Sequence, residues 1–128
     1  MKIHILIVFL VTCLFGASVP TECKDFKTGK FKMEDDQTGT NYITRNDSTQ
    51  IEYLPKLGIK VELNAVWTSD CTLELSLKDI LENTNNYPIS DFILVSKIIK
   101  TTDSSYVMSS EIKGVDDTPM VKEFIRID

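Results

Sequence analysis

From Ile59 to Trp67 the chain alternates with period two. Ile59, Val61, Leu63, Ala65 and Trp67 fall on one face; Lys60, Glu62, Asn64 and Val66 fall on the other. Successive strand residues point to opposite faces, so this pattern suits a half-buried strand and not a helix. After the polar turn Thr68-Ser69-Asp70, the run from Cys71 to Leu77 repeats it, with Leu73, Leu75 and Leu77 opposed to Thr72, Glu74 and Ser76. Two alternating runs joined by a short polar turn predict an antiparallel hairpin.

Much of the remaining chain reads the same way. Strands are predicted from Gly29 to Glu34, Asn41 to Arg45, Thr49 to Leu54, Phe92 to Thr101, Tyr106 to Lys113 and Val121 to Ile127. Turn-forming residues separate them, as in Asp35 to Thr40, Asn46-Asp47-Ser48, Thr102 to Ser105 and Gly114 to Pro119. One segment departs from the pattern: Leu77, Ile80 and Leu81 stand at i, i+3 and i+4, which predicts a short helix over 77–83. The expected fold is all-β, with about eight antiparallel strands in an up-and-down meander. Such a meander curls into a small barrel or a strongly curved sheet. A barrel of that size is filled by side chains or holds one small ligand.

The N-terminus reads as a targeting segment. Lys2 is followed by an apolar run from Ile3 to Phe15, broken only by His4 and Thr12, and then by Gly16, Ala17 and Ser18. This is the organisation of a secretory signal peptide over 1–18, leaving one domain over 19–128. The apolar run is shorter than the about 20 residues that span a bilayer, and no later segment predicts a membrane span. Export to the periplasm or the outside is therefore expected. A rival reading is lipid attachment at Cys13, because Leu10-Val11-Thr12-Cys13 resembles a lipoprotein signal. Thr12 suits that poorly, and the apolar run continues past Cys13.

Cleavage removes Lys2 and His4, so the formal charge moves from −5 to −6 and the only histidine is lost. Without histidine, Ser-His-Asp and Cys-His nucleophiles and His-ligated zinc or copper are excluded. No P-loop, GxGxxG or CxxC is present. The pairs Asp35-Asp36 and Asp116-Asp117 fall in predicted loops and match no EF-hand spacing. Exposed carboxyls of that kind lack the burial that general acid–base work needs. No enzyme activity, cofactor or metal is expected. Nor is nucleic acid, since the lysines are interspersed with acids and form no basic stripe. Asn46-Asp47-Ser48 is formally a glycosylation sequon, with meaning only in a eukaryotic secretory pathway. A monomer is expected.

Two cysteines remain after cleavage, Cys23 and Cys71. An oxidising compartment favours a disulfide between them. Closing a loop of about 49 residues is worth on the order of 4 kcal/mol of unfolded-state entropy. The alternative, a reactive thiol, has no nearby base or CxxC to support it.

Phe31, Tyr53 and Trp67 are predicted to face inward, either as core or as the lining of a barrel mouth that meets a hydrophobic ligand. Arg45 and Gln50 are the polar candidates for such a site. Arg45 shares a face with Ile43 and Asn41, so an inward Arg45 needs a partner, for which Glu52 or Asp70 are available.

The residues Cys23 to Phe31 spell C-x-x-F-x-T-G-x-F, followed by Arg45, Gln50-Ile51-Glu52, Trp67 and Asp70-Cys71. In these motifs, which span most of the mature length, the chain resembles a group of small exported bacterial proteins of unknown function. Their β-rich pattern is similar to that of lipocalin-like domains. Some relatives carry the label DNA topoisomerase IV. The length, the lack of an evident catalytic-tyrosine or nucleotide-binding motif and the predicted export give that label no support here. The expected function is a non-enzymatic binding module for a small hydrophobic ligand or peptide. The alternative is an envelope structural or interaction domain that meets another envelope protein and has a filled core. An internal pocket of about 300 Å³ or more favours the first, and a filled interior with an exposed apolar patch favours the second.

Overall fold

The computed structural model describes residues 22–128. The expected signal segment and Cys13 lie outside the described residues. Eight strands follow in order: β1 (Gly29–Asp35), β2 (Gly39–Arg45), β3 (Thr49–Leu54), β4 (Ile59–Trp67), β5 (Thr72–Asn83), β6 (Ile93–Thr101), β7 (Ser105–Ile112) and β8 (Met120–Arg126). Each pairs antiparallel with the next, and β8 returns to β1 to close a barrel. The closing pairs are Phe31 with Arg126 and Lys32 with Ile125. The predicted meander is thus a closed barrel rather than a curved sheet, and every strand has a neighbour on both sides, although β5 pairs with β6 only from Thr72 to Ser76.

The period-two pattern explains which side chains fill the interior. Register places Phe31 opposite Ile43, Ala65 opposite Leu75, and Ile98 opposite Met108. All six are buried, together with Phe26, Leu73 and Tyr106. Their neighbours along each strand, such as Lys30, Lys97 and Val66, point outward and are exposed.

The predicted helix over 77–83 is not formed. β5 continues as one strand of 12 residues to Asn83. Its pairing with β4 passes from Leu63–Leu77 to Glu62–Asp79, skipping Lys78, and from Val61–Ile80 to Lys60–Glu82, skipping Leu81. Each skipped residue is a β-bulge, which inserts one residue into one strand of a pair. The first bulge brings Leu77 and Ile80, three apart, opposite the inward residues Leu63 and Val61. A bulged strand therefore reproduces the apolar spacing of a helical turn. Among the described residues the helical pieces are two 3-10 turns, Cys23–Phe26 and Pro55–Leu57.

The two ends of the barrel differ. At one end the 3-10 turn Cys23–Phe26 lies across the opening and buries Phe26. A disulfide from Cys23 to Cys71, with Cα atoms 5.2 Å apart, ties this turn to the β4–β5 connection. Gly29 makes the entry into β1 possible: its φ is +136°, and a Cβ there would stand 2.7 Å from Arg126 Nη1. The other end carries the long connections 84–92 and 113–119, whose residues line openings into the barrel.

Candidate functional site

The plugged end is an aromatic cluster built around one buried cation. Phe26, Phe31 and Tyr106 meet with ring centroids 5.1 to 6.3 Å apart, and Phe124 stacks on Tyr106 at 5.0 Å. Arg45, at the end of β2, points into this cluster and is 3% exposed. Its guanidinium lies over Phe31, Trp67 and Tyr106 at 5.4 to 5.7 Å. Nη1 donates to the Phe26 carbonyl at 2.8 Å, Nη2 to the Tyr106 hydroxyl at 2.9 Å, and Nε to Gln50 Oε1 at 2.7 Å. An isolated buried charge is costly, and these three acceptors with three ring faces offset that cost.

Gln50 turns this cluster toward the open half. It accepts from Arg45 through Oε1 and donates from Nε2 to Glu52 Oε1 at 2.7 Å. Residues 50 and 52 share a face of β3 and Arg45 of β2 is paired with Gln50, so Arg45–Gln50–Glu52 forms a hydrogen-bonded line along the interior. Desolvation raises the Glu52 pKa above its ordinary value, against the opposing effects of the Gln50 hydrogen bond and the Arg45 charge. The Tyr106 hydroxyl is raised for the same leading reason.

Beyond Gln50 the interior is not filled. A cavity of about 100 Å³ is lined by Arg45, Gln50, Glu52, Leu94, Met108 and Phe124, among others. Two further openings, of about 140 Å³ under Ile89 and Phe92 and about 350 Å³ under Phe92, Ile112 and Val115, share Glu52 and Leu94 with it. The walls toward the mouth are mostly apolar, with Glu111, Asp117 and Thr118 among them, and the floor is polar. On that floor Ser96 and Ser110 hydrogen-bond each other at 2.7 Å. Asn41 donates to Thr38 Oγ1 at 2.9 Å, while its own Oδ1 is buried without a partner. Lys122 also lines the cavity, with its ammonium 3.0 Å from Asp35 Oδ2.

The residues singled out from sequence divide between the two halves. Phe31 and Trp67 face inward as expected, but within the plugged end and away from the mouth. Trp67 lies between Lys27 and Arg45, both 5.6 Å from its ring, and its Nε1 has no acceptor. Tyr53 does not face inward: it pairs with Tyr42 on the outer wall, stacks on it at 6.4 Å, and carries Lys60 over its ring. The reason is the alternation of β3, which sends Gln50 and Glu52 inside and Ile51 and Tyr53 outside. Asp70 is not a partner of Arg45. It is exposed and meets Lys27 at 3.7 Å. Glu52 reaches Arg45 only through Gln50.

Sequence reasoning did not nominate Asn41, Ser96 and Ser110 as cavity residues. The available signal was polar side chains at inward positions of the alternation, next to Ile43, Ile98 and Met108. Among the described residues no group of three or more acidic or cysteine side chains is placed to hold a metal ion, and no helix is long and apolar enough to cross a membrane. No protein-family model, curated protein or solved structure matches the chain.

Proposed function

We propose that this chain is a non-enzymatic binding module that takes a small, mostly apolar ligand through the open end of its barrel. The observation that carries this reading is the contrast between the two halves: one sealed by Phe26 and filled around Arg45, the other empty above Glu52. A barrel that needed only stability would close both ends, because unfilled apolar volume costs packing energy. The opening of about 350 Å³ lies within the size range of small-molecule sites. Export of the mature chain, expected from its first residues, is in keeping with the disulfide that fastens the plug.

A second reading draws on the rim. Phe92, Ile112, Val115 and Met120 are exposed around the mouth, with Ile80 and Leu81 on the free half of β5. Apolar residues grouped around one opening also suit docking of an envelope protein. Native mass spectrometry of the mature chain, purified without detergent, separates the two. Bound mass that leaves on denaturation, or saturable uptake of decanol, supports the ligand reading. A chain that stays bare and takes up no decanol overturns it in favour of the interaction domain.

A further inference from the structure

Two hydrogen-bond acceptors are left open in the cavity. Glu52 receives one bond, from Gln50 to Oε1, and no bond from the described residues reaches its other oxygen. Asn41 is 6% exposed, lines the same cavity, and keeps Oδ1 buried and unpartnered. A buried acceptor without a donor costs free energy that a donor from a ligand would return. In the register of β2 with β3, Ile43 is opposite Glu52, so Asn41 is the diagonal neighbour of Glu52. Such neighbours stand about 7–8 Å apart, a span that one small polar group bridges.

The strongest donor near this floor, Arg45, is fully engaged, and the others are partly so. Arg45 uses all three guanidinium nitrogens on Phe26, Gln50 and Tyr106 and lies under ring faces. Lys122 is drawn to Asp35 by an ion pair at 3.0 Å, and Ser96 and Ser110 share one hydrogen bond, which leaves a single hydroxyl hydrogen between them. Around the floor the mouth is mostly apolar, through Leu94, Met120, Phe92 and Ile112, with Glu111 and Asp117 also on its lining.

We infer that the cavity binds an amphiphile head-down, with a hydrogen-bond-donating head on Glu52 and Asn41 and its apolar tail at the mouth. A primary amine fits best, an alcohol less well, and a carboxylate worst. An ammonium supplies three N–H donors and a countercharge to Glu52. An alcohol supplies one donor, and a carboxylate supplies none and adds a like charge. Desolvation of the Glu52 carboxyl is in keeping with a partner of this kind.

This inference rests on the ligand reading above, and a set of equal-length probes tests the two separately. Decylamine, decanol, decanoate and decyltrimethylammonium are titrated calorimetrically into the mature, disulfide-intact chain at neutral pH. Decylamine is expected to bind at least tenfold more tightly than decanoate, and more tightly than decyltrimethylammonium, which is cationic but has no N–H. Glu52→Gln keeps the side-chain shape and an acceptor for Gln50, and should reduce the amine-to-carboxylate ratio at least tenfold. Asn41→Leu should weaken decylamine and decanol while sparing decyltrimethylammonium. Equal binding of all four heads, or tightest binding of decanoate, overturns the inference and leaves the ligand cavity standing. Failure of all four to bind overturns the ligand reading itself.

Discussion

Asp35 and Glu52 are carboxylates whose surroundings push them in opposite directions. Asp35 accepts the backbone N–H groups of Thr38 and Gln37 at the β1–β2 turn and faces the Lys122 ammonium. The Thr38 bond first, then Lys122 and Gln37, hold its pKa well below the usual carboxylate range. A group lowered on folding stabilises the fold above its unfolded value, near 3.8, and that stability is lost as pH falls toward the folded value. Glu52 is raised by desolvation, so the sign reverses. Its protonated form favours the fold below the unfolded value of 4.5, and that advantage disappears as pH rises through the folded value. Urea unfolding should therefore find Glu52→Gln more stable than the parent at pH 7, with the gain fading in acid. Asp35→Asn should be less stable at pH 7, with the deficit closing in acid. A Glu52→Gln variant that loses stability at neutral pH contradicts the placement of that carboxyl.

Arg45 gives a larger effect at the same scale. Arg45→Ala leaves Gln50 Oε1, the Tyr106 hydroxyl and the Phe26 carbonyl without their donor inside the plug. Leaving one buried acceptor unsatisfied costs about 1–3 kcal/mol, so a loss of at least that size is expected and chemical denaturation will read it directly. How far such residues were legible depended on the strand. β2 carries Asn41, Ile43 and Arg45 on one face, and its strong pattern fixed them together. β3 is inverted: Ile51 and Tyr53 are outside, Gln50 and Glu52 inside. An aromatic residue read as core was therefore assigned the wrong face, although Gln50 and Tyr53, three apart, cannot share one side of a regular strand. Local rules fail most where a site needs a polar interior, and the cavity floor is where this one failed.

At the scale of elements, the 3-10 turn Cys23–Phe26 depends on its tether. It is four residues long, makes few backbone bonds of its own, and is fastened by the Cys23–Cys71 disulfide. The bond spans 48 positions, so replacing both cysteines by serine should destabilise the chain by about 4 kcal/mol, seen as a lower urea midpoint. A double-serine variant with an unchanged midpoint would show that the plug holds by Phe26 packing alone. The disulfide was legible from the two cysteines left once the expected signal segment is set aside. The turn itself was not, because it has no periodicity to detect. β5 was misread for a physical reason of another kind. Its two bulges, at Lys78 and Leu81, shift the apolar residues off period two and onto the spacing of a helix. A bulge is set by the partner strand, here β4, and one strand's own sequence does not contain it.

For the whole molecule, the all-β class and strand count followed from alternation and turn chemistry. Closure did not, since the pairing of β1 with β8 joins the ends of the described chain through Phe31–Arg126 and Lys32–Ile125. Nor did the division into a filled half and an open half, which depends on where loops 84–92 and 113–119 stand. The account's central claim is that the open half receives a ligand. The methyl groups of Met33, Met108 and Met120 report on it, because all three line the inner cavity. The most direct measurement is an NMR titration of the methionine-methyl-labelled, disulfide-intact chain with decanol. Saturable shifts of all three methyls at one affinity are predicted, with the Trp67 indole N–H in the sealed half unmoved. Methyl resonances that stay fixed across the titration would contradict the account and mark the barrel as closed to ligands.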